Sequence, residues 1–348
     1  MKKFLAILST LLCCAGCQPD LPLLPLGEEG PGAGEAKITE ALIAAITEAS
    51  KQQASADFMP RFNQVKTHAC LNGVFWVSEN LPSEFQQGLF QPGARYPVTA
   101  RFANAREWDD RKKDFRGLSL KLTGTPGQPL WGQPGETDFL LNSYPQLFAA
   151  TPQHFLAFVQ ASVDGKPWRY VVNPSHWYSL PIILKGRQKV NSVLETSYYS
   201  TTPYQLGQGT RQAVKYAVSP CGSQPIMGFD ARDKDFLSAN IERHLDIQAA
   251  CFRFGVQLQR DSRKMPIENA SALWREQDSP FRPLATITFT NQKIFGEALY
   301  QRCENMSFNP WQASADHQPL GGINRVRKAV YSEIGELRLQ HNMSNQGH

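Results

Sequence analysis

Three well-separated segments alternate apolar and polar residues with a period of two, and this feature constrains the fold most. The segments are residues 118–122, 252–258 and 285–289. Because successive side chains of a strand point to opposite faces, each segment predicts a strand with one buried face. Helical patterns do not alternate regularly with these strands, which disfavours a doubly wound parallel sheet. We therefore predict an α+β fold: an antiparallel sheet or closed barrel with surrounding and C-terminal helices.

A helical period marks two further segments, one near residues 38–49 and one near residues 324–338. In the second, the spacing places Arg327, Tyr331 and Arg338 on one narrow face, because their offsets amount to rotations of about 40° and about 20°. Two cations beside a phenol at the edge of a core are costly unless an anion lies there. The alternative interpretation of this helix alone is a solvated basic face.

The N-terminus has the pattern of a secretion signal. Lys2 and Lys3 precede an apolar run over residues 4–12, and small residues then lead to Cys17. The run is too short to span a bilayer as a permanent helix. The pattern resembles a bacterial lipoprotein signal over residues 1–17 with a lipidated Cys17, and Gln18 favours the outer membrane. An ordinary cleaved signal is the alternative, and both place the protein in the periplasm.

We expect the mature chain to begin with a flexible tether over residues 18–35, rich in Pro, Gly and Leu. A single domain over residues 36–348 would follow it. Of the 7 cysteines, four lie in that domain. In an oxidising compartment they allow two disulfides in three connectivities, and buried free thiols are the alternative. The cysteines are Cys70, Cys221, Cys251 and Cys303.

Charge excludes one class of partner. The chain has 36 Lys+Arg and 31 Asp+Glu, a net charge of +5. Basic residues do not form a stripe interleaved with aromatic residues, so we do not expect nucleic acid as a partner. Membrane contact is expected only through the lipid anchor.

Several short motifs occur along the chain in an order that matches one protein family. They are Thr67-His68-Ala69, Arg101-Phe102-Ala103-Asn104, the segments 114–121, 138–145 and 307–311, and Arg327-Lys328-Ala329-Val330-Tyr331 with Arg338 seven residues later. Together they resemble the haem catalase superfamily, especially its short catalase-related members, over roughly residues 60 to 340. The resemblance implies a catalase-like antiparallel barrel and haem b as cofactor.

The resemblance also implies how haem would be held. Tyr331 would be the axial ligand of the iron, as in catalases. Free tyrosine has a pKa of about 10 and needs a neighbouring cation to bind as the anion, a role implied for Arg327. Arg101 and Arg338 would pair with the haem propionates, and Phe155 would cover the porphyrin.

For catalysis, the resemblance implies His68 as the general acid–base and Asn142 as a hydrogen-bond donor to peroxide. We therefore predict a haem oxidoreductase that decomposes hydrogen peroxide in the bacterial envelope. The alternatives are a peroxidase, an enzyme acting on organic hydroperoxides, a non-catalytic haem-binding lipoprotein, and a barrel lipoprotein without cofactor. The sequence leaves the electron donor and the oligomeric state open.

Departures from the family pattern concern the surroundings of His68. Ala103 replaces the serine that hydrogen-bonds the histidine in typical catalases. Val65 stands three residues before His68, where the family has an arginine, so one propionate contact is expected to be missing or supplied by Lys66. The chain also lacks the length of larger catalases, so we do not expect their NADPH site or interlocked tetramer.

Overall fold

A computed structural model describes residues 21–210, 212–223, 230, 232–294 and 296–344. Nine strands form one antiparallel sheet in these residues. The strands are β1 Lys66–Val77, β2 Arg95–Asn104, β3 Arg116–Thr123, β4 Glu136–Asn142, β5 Tyr198–Tyr199, β6 Tyr204–Gln205, β7 Ala213–Pro220, β8 Ala250–Leu258 and β9 Arg282–Phe289. The predicted strands at 118–122, 252–258 and 285–289 lie within β3, β8 and β9, so these predictions are confirmed.

The sheet closes into a barrel. Its strand order is β5-β4-β3-β2-β1-β9-β8-β7-β6, and β5 also pairs with β7. Eight strands therefore complete the circle, while the short β6 extends the sheet beside β7. Closure leaves no long unpaired edge among the described strands, which is how an antiparallel sheet avoids edge-to-edge association.

Aromatic side chains fill the barrel interior. The rings of Phe75 and Phe139 lie 5.1 Å and 4.9 Å from that of Phe254, and Tyr216 lies 5.0 Å from Phe139. All four residues are buried. The interior is therefore a packed core, as in other small barrels, and a ligand site must lie outside it.

Helices form a second layer. The helices are α1 Glu35–Gln53, α2 Pro152–Val163, α3 Trp168–Val172, α4 Ser179–Gly186, α5 Phe236–Ile247, α6 Glu297–Asn305 and α7 Gly322–Ser344. Helices α1, α2 and α7 share an apolar core built from Leu42, Ile46, Leu156, Val159, Val326 and Val330. Both predicted helical segments are confirmed, and α7 is longer than its predicted extent. The α+β barrel with added helices is thus the fold of this chain.

The segment before α1 differs from the prediction. Gly27 N donates to Gln259 Oε1 at 2.8 Å, and Gly30 N donates to Glu268 Oε1 at 3.0 Å. Glu29 lies 2.6 Å from Arg325 of α7 in an ion pair. Residues 27–35 therefore dock on the folded body, so the predicted tether cannot extend to residue 35. Residues 1–20, with the predicted signal and Cys17, lie outside the described residues.

Two disulfides resolve the cysteine alternatives. Cys70 of β1 is bonded to Cys303 of α6, and Cys221 is bonded to Cys251 of β8. The free-thiol alternative is therefore wrong. The first bond ties α6 to the barrel wall next to the site described below.

Within the described residues, we find no helix long and apolar enough to cross a membrane.

Candidate functional site

A cavity of about 650 Å³ lies between the barrel wall and the helical layer. Strands β2, β3 and β4 form one wall, while helices α1, α2 and α7 contribute to the other. Six of the seven site residues predicted from the sequence line this cavity: Arg101, Asn142, Phe155, Arg327, Tyr331 and Arg338. The structure thus brings together residues that are up to 237 positions apart in the chain.

Tyr331 and Arg327 form a pair on α7. They lie one helical turn apart, which places both on the same face. Arg327 Nη2 donates to the Tyr331 hydroxyl at 3.3 Å, while Nη1 donates to Asn324 Oδ1 at 3.0 Å. Burial by itself lowers the pKa of Arg327, but Tyr331 and Tyr204 outweigh it and raise that pKa overall. A cation held against a phenol stabilises the phenolate, the form that binds iron.

Three arginines line another part of the cavity, and we call them the arginine cluster: Arg61, Arg101 and Arg338. Burial, and then the proximity of Arg61, lower the pKa of Arg101 and of Arg338 to about 9 each. Glu304, which does not line the cavity, lies 2.5 Å from Arg61 and 3.7 Å from Arg101. Burial alone would raise the pKa of Glu304, but these arginines lower it overall, so it is a carboxylate.

The arginine cluster therefore carries three positive charges against the single negative charge of Glu304, an excess of two. Arg338 Nη1 is buried and has no hydrogen-bond partner among the described residues. Since an unpaired buried cation is costly, the cluster is built to receive an anion. A ligand with two carboxylates would complete the charge balance.

Arg61 was missed by the sequence analysis. The family has an arginine three residues before its catalytic histidine. We expected that arginine to be absent here, because Val65 stands three residues before His68. The structure corrects this, because Arg61 lines the cavity and Lys66 instead pairs with Asp110 at 2.7 Å. The overlooked signal was the same three-residue spacing between Arg61 and Gln64.

The rest of the wall is largely apolar and aromatic. Phe155 and Phe158 of α2 line it with Phe148, whose ring lies 4.5 Å from that of Phe158. Val326, Val330 and Ile334 of α7 lie on the same wall. A slot with apolar faces, a phenol and cations for two carboxylates has the donor set that haem requires. The residues present therefore fit the predicted cofactor.

His68 does not line the cavity, and the structure corrects its predicted role. It is the extra residue of a β-bulge, between Thr67 and Ala69 in the β1–β2 register. Thr67 accepts a hydrogen bond from Arg101 Nε at 2.9 Å, whereas the side chain of His68 contacts Asn104, with Nε2 2.8 Å from Oδ1. Asn104 lies three residues after Arg101 in β2, and alternate residues of a strand point to opposite faces, so His68 lies on the face of the sheet opposite Arg101.

The surroundings of His68 suit a neutral, structural imidazole. Its side chain is fully buried, and Nδ1 lies 3.8 Å from Asp110. Burial lowers the pKa of His68 to about 4 despite that carboxylate. We expected Ala103 to leave the imidazole of His68 without an orienting partner. Asn104 supplies that contact instead.

Gln64, three residues after Arg61, lines the cavity. Its side chain lies against Gly117, where an added Cβ would come within 2.3 Å of Gln64 Cδ. Ser119 Oγ donates to Gln64 Oε1 at 3.3 Å. Gly117 is in turn the β-sheet partner of Asn142. Gln64 and Asn142 thus reach the cavity from the same patch of barrel wall, and we call them the carboxamide pair.

Comparisons with known proteins identify the fold. The chain is similar to catalase A from Saccharomyces cerevisiae with a TM-score of 0.66 at 15% identity, over 93% of this chain and 68% of the yeast chain. A fungal catalase gives 0.64 at 14% identity, over 95% and 67% of the two chains. A bacterial catalase gives 0.62 at 15%, over 93% and 68%. No protein-family model matches the sequence, and neither does any curated protein.

The fold is catalase-like. At these identities the likeness concerns architecture alone, so the chemistry must be judged from the cavity of this chain. Within the described residues, no group of three or more His, Cys, Asp or Glu side chains could hold a metal ion.

Proposed function

We propose that the protein binds haem b in this cavity, with Tyr331 as the axial ligand, and that it acts as an enzyme on hydroperoxides, hydrogen peroxide among them. The observation that carries the proposal is the contact between Arg327 Nη2 and the Tyr331 hydroxyl at 3.3 Å on a cavity wall. A buried arginine bonded to a phenol favours the phenolate, a hard anionic ligand suited to ferric iron.

The arginine cluster would hold the two propionates. Planar guanidinium groups match carboxylates in a bidentate geometry, and burial strengthens the charge-assisted bonds. The free Nη1 of Arg338 supplies a donor for one of them. Glu304 would keep Arg61 and Arg101 in place, because it pairs with both and does not itself line the cavity.

When bound, haem would supply the redox-active iron that hydroperoxide cleavage requires. The chain's own residues would bind and orient the reactants. Asn142 Oδ1 is buried without a partner among the described residues, so its carboxamide is available to a ligand. Phe155 and the apolar wall would exclude water from the reacting region.

A second candidate function is haem binding without turnover. It is favoured by the displacement of His68, since no imidazole lines the cavity within the described part of the chain. Haem-loaded protein distinguishes the two: oxygen release, or peroxide loss with an added electron donor, supports the enzyme, and stable peroxide under both conditions supports the carrier.

Titration of the apoprotein with haem tests the proposal itself. We expect saturation at one haem per chain with a shifted Soret band and a ferric spectrum typical of phenolate ligation. A Soret band that never departs from that of free haem would overturn the proposal.

We also propose that the protein is lipid-anchored at Cys17 to the outer membrane and faces the periplasm. Two disulfides support an oxidising compartment. Labelling with a radioactive fatty acid tests the anchor. The wild type should be labelled and Cys17→Ala should not, whereas equal labelling of both would contradict the assignment.

A further inference from the structure

Among the described residues, four carboxamides and the phenol of Tyr331 line the cavity; the carboxamides belong to Asn63, Gln64, Asn142 and Gln146. Gln64 and Asn142 are the two that lie beside Gly117 of β3. We propose that Gln64, with Asn142, forms the ligand-binding face of the cavity and holds small anions and hydroperoxides by hydrogen bonds without exchanging a proton with them. The proposal deepens the proposed function and rests on it, because it assigns the side of the bound haem that reactants approach.

The placement of Gln64 is specific. It lies before β1, next to Gly117 of β3, and Gly117 pairs in register with Asn142 of β4. The segment before β1 and the adjacent strands β3 and β4 therefore position the carboxamide pair. Tyr331 reaches the same cavity from α7 in the helical layer.

The backbone holds Gln64 in an unusual conformation. Its φ is 59°, in the left-handed region that few non-glycine residues adopt. Gln64 N donates to Ala105 O at 2.9 Å, and Gln64 O accepts from Arg101 Nη2 at 2.8 Å. A member of the arginine cluster thus fixes the residue that we place at the ligand. Strain held in this way is common at binding sites.

Gly117 makes room for the side chain. Any residue larger than glycine would place its Cβ 2.3–2.7 Å from the Gln64 amide atoms. Ser119 holds one end of that amide by donating to Oε1. The NH2 group is therefore the end left to donate to a ligand in the cavity.

Among the described residues, the other charged groups on this wall do not supply a base. Asp114 Oδ2 accepts from the backbone N–H groups of Arg106 and Glu107 at 2.7 Å and 2.9 Å. Glu107 is paired with Arg187 at 3.0 Å. The other charged residues of the cavity wall are guanidinium groups, which stay protonated at neutral pH: Arg61, Arg101, Arg106, Arg187, Arg327 and Arg338.

A carboxamide donates and accepts hydrogen bonds but neither takes nor releases a proton near neutral pH. A weak acid such as hydrogen cyanide must lose its proton to bind ferric haem as the anion. An imidazole in the site would keep that proton, so the observed affinity would hardly depend on pH. With the carboxamide pair, the proton leaves to solvent, and the affinity should rise by about tenfold per pH unit while the free ligand is protonated.

Cyanide titration of haem-loaded protein, followed by the Soret band across neutral pH, tests this directly. We expect the tenfold dependence in the wild type and a much flatter one in Gln64→His, whose backbone conformation histidine tolerates. Gln52→His carries the same change at an exposed position of α1 and should behave as the wild type. Gln64→Leu should bind cyanide about five- to tenfold more weakly at every pH, the loss of one hydrogen bond.

Each failure has its own signature. If the wild type takes up no haem, the proposed function fails before cyanide is added. If haem binds and wild-type cyanide affinity is independent of pH, a proton-accepting group lies at the ligand, and the assignment of the carboxamide pair is overturned. Unchanged cyanide affinity in Gln64→Leu would also overturn it.

Discussion

The two sides of the cavity differ in how far they follow the catalase-like pattern. On the helix side lie Tyr331 and Arg327. Together with the arginine cluster, they form a set of residues suited to holding haem. The barrel side carries Gln64 and Asn142 where an acid–base group was expected, while His68 is buried elsewhere. Under the proposed function, holding a cofactor and transferring protons at it would thus be separable in this fold, because different residues would perform them.

The largest expected effect comes from restoring a base on the barrel side. Gln64→His should raise the rate of hydrogen peroxide consumption by about 10²–10⁴, the usual contribution of a positioned general base. Initial rates per bound haem measure it. Gln52→His is again the control, and equal rates in all three proteins would show that proton transfer is not what limits this site.

The second effect concerns His68 and acid stability. Its pKa is lowered from 6.5 to about 4 in the folded chain. Between pH 6.5 and about pH 4, the unfolded chain therefore binds a proton at His68 that the native chain does not. The free energy of unfolding consequently falls as the pH drops through this range. His68 accounts for on the order of 3 kcal/mol of that loss.

Denaturant unfolding of wild type and His68→Asn across this pH range measures the contribution. The variant should lose stability less steeply below pH 6.5, while His317, with a pKa also near 4, keeps part of the slope. Haem binding and peroxide consumption should not change in folded His68→Asn. A large drop in peroxide consumption per haem would place His68 at the ligand after all. It would then contradict the difference drawn here between the helix side and the barrel side of the cavity.

A smaller effect is expected at the arginine cluster. Arg338→Gln removes one of two charges in excess, so haem affinity should fall about 10- to 100-fold, as for other groups that support a ligand. Arg169→Gln is the matched control, since Arg169 is exposed and pairs with Asp164 at 3.3 Å. Equal haem affinity of Arg338→Gln and the wild type, measured by Soret titration, would remove the propionate assignment.

The sequence predicts the parts of this fold that have local patterns. Strands β3, β8 and β9 show a period of two, and the face of α7 with Arg327, Tyr331 and Arg338 follows from helical spacing alone. These elements were predicted because their side-chain pattern is set within a few neighbouring residues.

Contacts between distant segments could not be predicted in this way. The disulfide between Cys70 and Cys303 depends on how α6 lies against β1, and docking of Gly27 depends on Gln259. The bulge at His68 is equally invisible in a sequence pattern, although it decides which residue of this segment faces the cavity. His68 was predicted from its residue type, and Gln64 was missed although it lies three residues after Arg61.

The most direct test of the central claim is the ferric absorption spectrum of haem-reconstituted Tyr331→Phe, beside Tyr199→Phe, whose tyrosine lies on β5 outside the cavity. We expect Tyr331→Phe to lose the phenolate signature and most of its haem affinity, while Tyr199→Phe keeps both. Identical spectra and affinities in the two variants and the wild type would contradict the assignment of this cavity as a haem site.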